Sequence, residues 1–155
     1  MLNTLTPRNT SLLIGAVALA TIVGAWIFEY AGYLPCELCL LQRWTYYVGT
    51  PFALIVGFWN PKWIRPALVV MALLWLGSAV FGVFHSGVEW GWWQGPTACS
   101  GGGEDLGLGD GLPDLNLAGV MCNEAAIRIF GLSLAGWNAV ISAALALLAA
   151  RAAHR

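Results

Sequence analysis

Four stretches of this chain contain no Asp, Glu, Lys or Arg: Asn9 to Phe28, Trp44 to Pro61, Pro66 to Phe84 and Ile129 to Ala150, of 20, 18, 19 and 22 residues. About 20 mainly apolar residues in a helix cross the hydrocarbon of a bilayer. The four take up half of a 155-residue chain that is 59% hydrophobic and only 10% charged, where soluble domains average about 25% charged residues. One water-soluble core does not fit this pattern, and too few residues remain for a second folded domain. A net charge of -1 without any Lys/Arg cluster argues against a nucleic-acid partner. The expected architecture is an all-α integral membrane protein, a single domain over residues 1–155. It is a four-transmembrane-helix bundle with spans at about 11–29, 42–59, 66–85 and 130–150, and outer loops at about 30–41 and 86–129.

Lys and Arg set the orientation, because acidic residues contribute little to the positive-inside bias. Arg8, Lys62, Arg65, Arg151 and Arg155 fall on the side of the two termini, and Arg43 and Arg128 on the other. That split places both termini in the cytoplasm. All four cysteines, Cys36, Cys39, Cys99 and Cys122, then face outward with all eight acidic residues, on the side where disulfides form and persist. A cleaved signal peptide behind Arg8 is the rival account of the first span. It fits less well, since the uncharged stretch is longer than a signal core and no small-x-small site follows before Glu29.

The connection Asn60-Pro-Lys-Trp-Ile-Arg-Pro66 reads as a tight turn between antiparallel helices. From His85 to Arg128 the outer connection is long and acidic, with ten of the nineteen glycines between Gly87 and Gly119. Such a stretch makes no compact core. Its start, Glu89-Trp-Gly-Trp-Trp-Gln94, reads as an aromatic anchor at headgroup level. A calcium nonapeptide repeat is discarded, because the Gly/Asp run occurs once and at the wrong spacing. Pro51 is expected to kink the second span, and Asn138 to make an interhelical hydrogen bond in the fourth.

Chemistry concentrates at Pro35-Cys36-Glu37-Leu38-Cys39, the outer entrance of the second span. Two cysteines separated by two residues form a redox pair, half of a zinc site or a structural staple. Proline suits the first turn of a helix whose N-terminus stabilises a thiolate. Zinc ranks last, since the other two cysteines are separated by 22 residues and neither a second CxxC nor a nearby His completes a closed ligand set; no metal is expected. Arg43, four residues beyond Cys39, lies on the same helix face one turn further into the membrane, where an unpaired cation is costly. Paired with a Cys39 thiolate at about 4 Å and an effective dielectric near 20, it would contribute roughly 4 kcal/mol, more than a helix dipole. Its alternative partners are an anionic ligand, the lipid headgroups or Glu29 at the end of the first span. Cys99 and Cys122 form either a staple for the glycine-rich loop or a pair that exchanges with the CxxC. His85, with Glu89 four residues on, is either a solvated helix terminus or a hydrogen-bond donor to a polar ligand headgroup.

These residues carry a resemblance. Pro35 to Arg43 (Pro-Cys-Glu-Leu-Cys-Leu-Leu-Gln-Arg), His85 to Glu89, Gly95 to Cys99, Met121 to Glu124 and Gly131 to Asn138 occur in the order found in the bacterial disulfide bond formation protein B (DsbB) family. The resemblance implies a quinone-dependent membrane thiol oxidase of the bacterial inner membrane. Such an enzyme reoxidises a periplasmic, thioredoxin-like DsbA-type dithiol protein and passes the electrons to ubiquinone or menaquinone. It further implies that Cys99 forms the mixed disulfide with the partner, that Cys122 is its loop mate, and that Cys36 exchanges with Cys122. Cys39 would face the quinone, with Arg43 and His85 at the quinone site. Glu37 and the glycine-rich loop match only loosely. Two alternatives are a vitamin K epoxide reductase-like oxidase, whose CxxC belongs near the last core helix, and a noncatalytic, disulfide-stapled four-span scaffold.

Overall fold

The structure is a computed structural model that describes residues 6–96 and 122–154. Four helices follow one another: α1 (Pro7–Tyr30), α2 (Glu37–Trp59), α3 (Ile64–Glu89) and α4 (Leu134–Ala153). Between α3 and α4 lies a two-stranded hairpin, β1 (Arg128–Ile129) and β2 (Leu132–Ser133), paired antiparallel. Among the described residues three helices, α1, α3 and α4, are long and apolar enough to cross a membrane. α2 has 23 residues but carries Glu37, Gln42 and Arg43 in its first turns and both Tyr46 and Tyr47.

Local chemistry sets the boundaries. Pro7 occupies the first turn of α1, and the Thr6 hydroxyl accepts from Asn9 N–H at 3.2 Å. Asn60, left-handed at φ 46°, ends α2 ahead of Pro61. α2 continues through Pro51 without a break in its helical assignment. The uncharged run from Ile129 does not start as helix: Phe130 and Gly131 both take positive φ (51° and 83°), the backbone of a tight two-residue hairpin turn. Ser133 then caps α4, accepting from Gly136 N–H at 3.1 Å. The helix therefore begins at Leu134, four residues after the expected span boundary at 130.

Alanines and a few large side chains share the core. Ala18, Ala53, Ala67, Ala146, Ala149 and Ala152 pack with Ile14, Leu68, Met71, Trp75 and Leu145 in the core. Phe58, Trp59, Leu73, Val80 and Leu147 are more than half exposed. A core in which alanines share the space with a few large side chains, and many large apolar residues facing outward, suit a bundle whose solvent is lipid. Glycines set two of the close approaches. A Cβ at Gly57 would meet Leu12 of α1, and one at Gly82 would meet the backbone of Ala139 in α4. Polar groups inside the bundle link helices: Tyr46 donates to Asn138 Oδ1 (2.6 Å), Ser142 donates to the same oxygen (3.1 Å) and contacts Ser78 (3.0 Å). α2, α3 and α4 are joined by this chain, and the bond expected at Asn138 is its centre.

Candidate functional site

Cys36 is the residue before the first turn of α2, and its sulfur takes the capping role that a hydroxyl usually fills. Its Sγ accepts from Cys39 N–H at 3.3 Å and lies 2.8 Å from Cys39 Sγ. Both are free thiols. Cys36 is buried, 6% exposed, whereas Cys39 is half-buried. The Cys36 thiol is lowered to about 4, first by the hydrogen bond from the Cys39 thiol; burial opposes this, while His85 and the Cys39 N–H add to it. These contacts favour Cys36 over Cys39 as the thiolate of the pair.

His85, 1% exposed, comes from the last turns of α3, and its Nε2 lies 3.5 Å from Cys36 Sγ. Its Nδ1 lies 3.2 Å from Gln42 Nε2, an amide nitrogen that only donates. Nδ1 is therefore the acceptor, so Nε2 carries the ring proton and points it at the Cys36 sulfur. Glu89 Oε1 lies 3.9 Å from the same Nε2, on a side chain only 5% exposed. The helix terminus that the sequence allowed to be solvated is buried. Sequence reasoning assigns Gln42 and Glu89 no role as partners. The available signal is a polar residue within an apolar helix beside Arg43, and the i,i+4 spacing of His85 and Glu89.

Arg43 forms an ion pair with Glu29 of α1 at 2.5 Å, with 11% and 39% of the two side chains exposed. This is one of the partners that the sequence left open. Arg43 also lines a cavity of about 340 Å³ between α1, α2, α4 and the hairpin, together with Cys39, Gln42, Tyr46, Trp137 and Asn138. The remaining lining is mostly apolar, including Ile22, Phe28, Leu34, Ile129, Phe130 and Ile141. His85 is not among the lining residues; it lies on the Cys36 side of the CxxC. Arg43 lines the cavity directly, and His85 is linked to it through Gln42, a lining residue whose amide lies 3.2 Å from His85 Nδ1.

Cys122 is 1% exposed and disulfide-bonded, and packs with Cys36 and Leu38 in one buried cluster against Cys39 and Phe81. Cys99 lies outside the described residues. Near this cluster the aromatic segment folds back: Trp93 Nε1 donates to Phe84 O at 2.8 Å and its ring stacks on Phe84. Trp90 receives the Arg128 guanidinium on its face at 4.5 Å.

A multi-pass helical bundle with a free dithiol at a helix start, and a disulfide-bonded third cysteine packed on it, defines a class of membrane protein built around thiol–disulfide chemistry. The chain belongs to the family described as disulfide bond formation protein DsbB, whose signature matches residues 7–152. Disulfide bond formation protein B of Psychrobacter cryohalolentis is 35% identical over 80 residues, covering 50% of this chain and 43% of that protein. The Psychrobacter arcticus protein of the same name gives the same values. These matches span less than half the length of either relative. An uncharacterized Rickettsia prowazekii protein is 28% identical over 143 residues, 85% of this chain and 77% of its own. No solved structure gives a significant match.

Proposed function

We propose that this protein is a thiol oxidase of the bacterial inner membrane that reoxidises a periplasmic, thioredoxin-like dithiol protein and delivers the electrons to a membrane quinone. The observation that carries the reading is the two-sided setting of the CxxC: Cys36 packs against disulfide-bonded Cys122, and Cys39 opens onto an apolar cavity. In this reading α2 is the fourth span, both termini are cytoplasmic, and all four cysteines are periplasmic.

The electrons move through two exchanges. A thiolate of the partner attacks Cys99 and releases Cys122; the partner's second thiol then resolves the mixed disulfide, leaving the partner oxidised and both loop cysteines reduced. Cys122 attacks Cys36 of the CxxC disulfide and releases Cys39, and Cys99 closes on Cys122 to release Cys36. His85 Nε2–H stabilises the Cys36 thiolate so released, and Gln42 holds the tautomer that makes this donation possible. A cavity of about 340 Å³ with an apolar wall and Arg43, Tyr46 and Asn138 at its polar positions suits a flat headgroup with carbonyl oxygens. A bound quinone supplies a two-electron, two-proton acceptor for the CxxC dithiol. Arg43 is the one cation lining that cavity among the described residues, and would hold negative charge there.

The purified protein in detergent, given a short-chain ubiquinone and a reduced DsbA-type protein, should bleach the quinone absorbance in step with partner oxidation. Cys36→Ser should abolish both. A folded wild-type protein that neither binds nor reduces quinone would leave the stapled scaffold as the better reading.

A further inference from the structure

We propose that the reduced dithiol is also a binding site for one divalent cation of the zinc class, formed by Cys36, Cys39, His85 and Glu89. The ligand atoms of Cys36, Cys39 and His85 all lie within 4.8 Å of one another. Cys36 Sγ and His85 Nε2 are 3.5 Å apart, the edge length of a tetrahedron with metal–sulfur and metal–nitrogen bonds of about 2.3 and 2.0 Å. The two sulfurs, at 2.8 Å, must open by about 1 Å to reach the corresponding edge. Cys36 precedes the first helical turn and has the freedom to do so by turning about its Cα–Cβ bond. Glu89 stands outside that mutual group and would become the fourth ligand by a turn of its side chain: Oε1 is 3.9 Å from His85 Nε2, and Oε2 is buried without a hydrogen-bond partner. Ser133 hydrogen-bonds the Glu89 carboxyl and Arg128 lies near it, which leaves Oε2 as the one oxygen free to meet a cation.

Two thiolates and an imidazole select zinc-like ions over magnesium or calcium. Each thiol that enters as S–H loses its proton to solvent, and no electron moves. For His85 to ligate through Nε2 its proton must sit on Nδ1. Gln42 then turns its amide over and accepts from Nδ1–H with its oxygen, the outer contact a ligating histidine needs. A CxxC disulfide has no thiolates, so the site exists only in the reduced protein. Its consequence for turnover rests on the oxidase reading above: the ion holds the dithiol reduced and blocks its reoxidation. Binding itself does not depend on that reading.

The test uses the full chain in detergent with Cys99→Ser and Cys122→Ser, so that only the CxxC thiols remain, reduced and then freed of reductant anaerobically. Titrated Co²⁺ should give thiolate charge-transfer and tetrahedral visible bands that saturate at one equivalent and bleach with Zn²⁺. The oxidised protein should give neither. His85→Ala should weaken binding at least tenfold and Gln42→Leu about 10- to 100-fold. Absence of these bands in the reduced protein, or equal affinity in His85→Ala, overturns the site. Quinone reduction by the wild-type protein without added metal is measured separately: intact reduction with no cobalt bands sinks the metal site alone, and cobalt bands without quinone reduction sink the oxidase alone.

Discussion

Gly82→Ala probes how tightly the site is held. A Cβ at Gly82 would lie 2.8 Å from Ala139 N and 3.0 Å from its Cα and Cβ. The nearest of these atoms are backbone, so no flexible side chain can swing away. Restoring ordinary contact requires α3 and α4 to part by about 0.6 Å there, with loss of dispersion along the seam. Overpacking of this kind costs about 1–3 kcal/mol, against which alanine returns up to about 1 kcal/mol of helix propensity over glycine. A Cβ at Gly77, on the same helix, would meet nothing within 4 Å, so Gly77→Ala keeps the propensity gain without the clash. The two variants should therefore differ by the packing cost itself, about 2 kcal/mol or up to roughly 30-fold in the unfolding constant. Reversible unfolding in mixed micelles, followed by circular dichroism, measures that difference. His85 is one turn from Gly82, so Gly82→Ala should also slow CxxC turnover while Gly77→Ala does not. A Gly82→Ala protein as stable as Gly77→Ala would refute the close approach of α3 and α4.

Three further outcomes follow from the site. Arg43→Lys loses the planar donor fork and should raise the apparent KM for quinone about tenfold, the worth of one charge-assisted hydrogen bond, without changing the KM for the dithiol partner; unchanged quinone kinetics even in Arg43→Ala would remove Arg43 from the acceptor site. Gln42→Leu orphans the buried Nδ1 of His85 and should cost about 1–3 kcal/mol in unfolding measurements together with a slower CxxC step; wild-type stability would show that the Gln42 contact is not made. Cys122→Ser should trap the partner on Cys99, whereas Cys39→Ser should accumulate a Cys36–Cys122 bridge, both read by mass spectrometry of nonreduced peptides; a partner adduct on Cys36 or Cys39 with the loop cysteines intact would make the loop pair a mere staple.

The helices could be read from the chain because a bilayer makes charge-free length a strong signal, and α1, α2 and α3 each enclose most of the expected stretch. Residues 130–133 could not, since Phe130, Gly131 and Leu132 are as apolar as the helix that follows. What separates them is backbone φ and the Ser133 cap, neither of which alters hydropathy. The same division runs through the site. Spacing along one helix placed Cys36, Cys39 and Arg43 near one another, because i,i+3 and i,i+4 geometry is local. Which helices face which was not readable, and the contacts that give the two cysteines different surroundings are all between elements: His85 to Cys36 across 49 residues, Glu29 to Arg43 across 14, and Cys122 onto Cys36. A CxxC motif is nearly symmetric on paper. Packing removes the symmetry, since the helix start turns Cys36 toward α3 and Cys122 and turns Cys39 toward the cavity between α1 and α4. The electron relay proposed above would use that asymmetry: one sulfur would meet another protein sulfur while its neighbour meets a lipid-soluble acceptor, and a pair facing both partners through the same atom would let them compete.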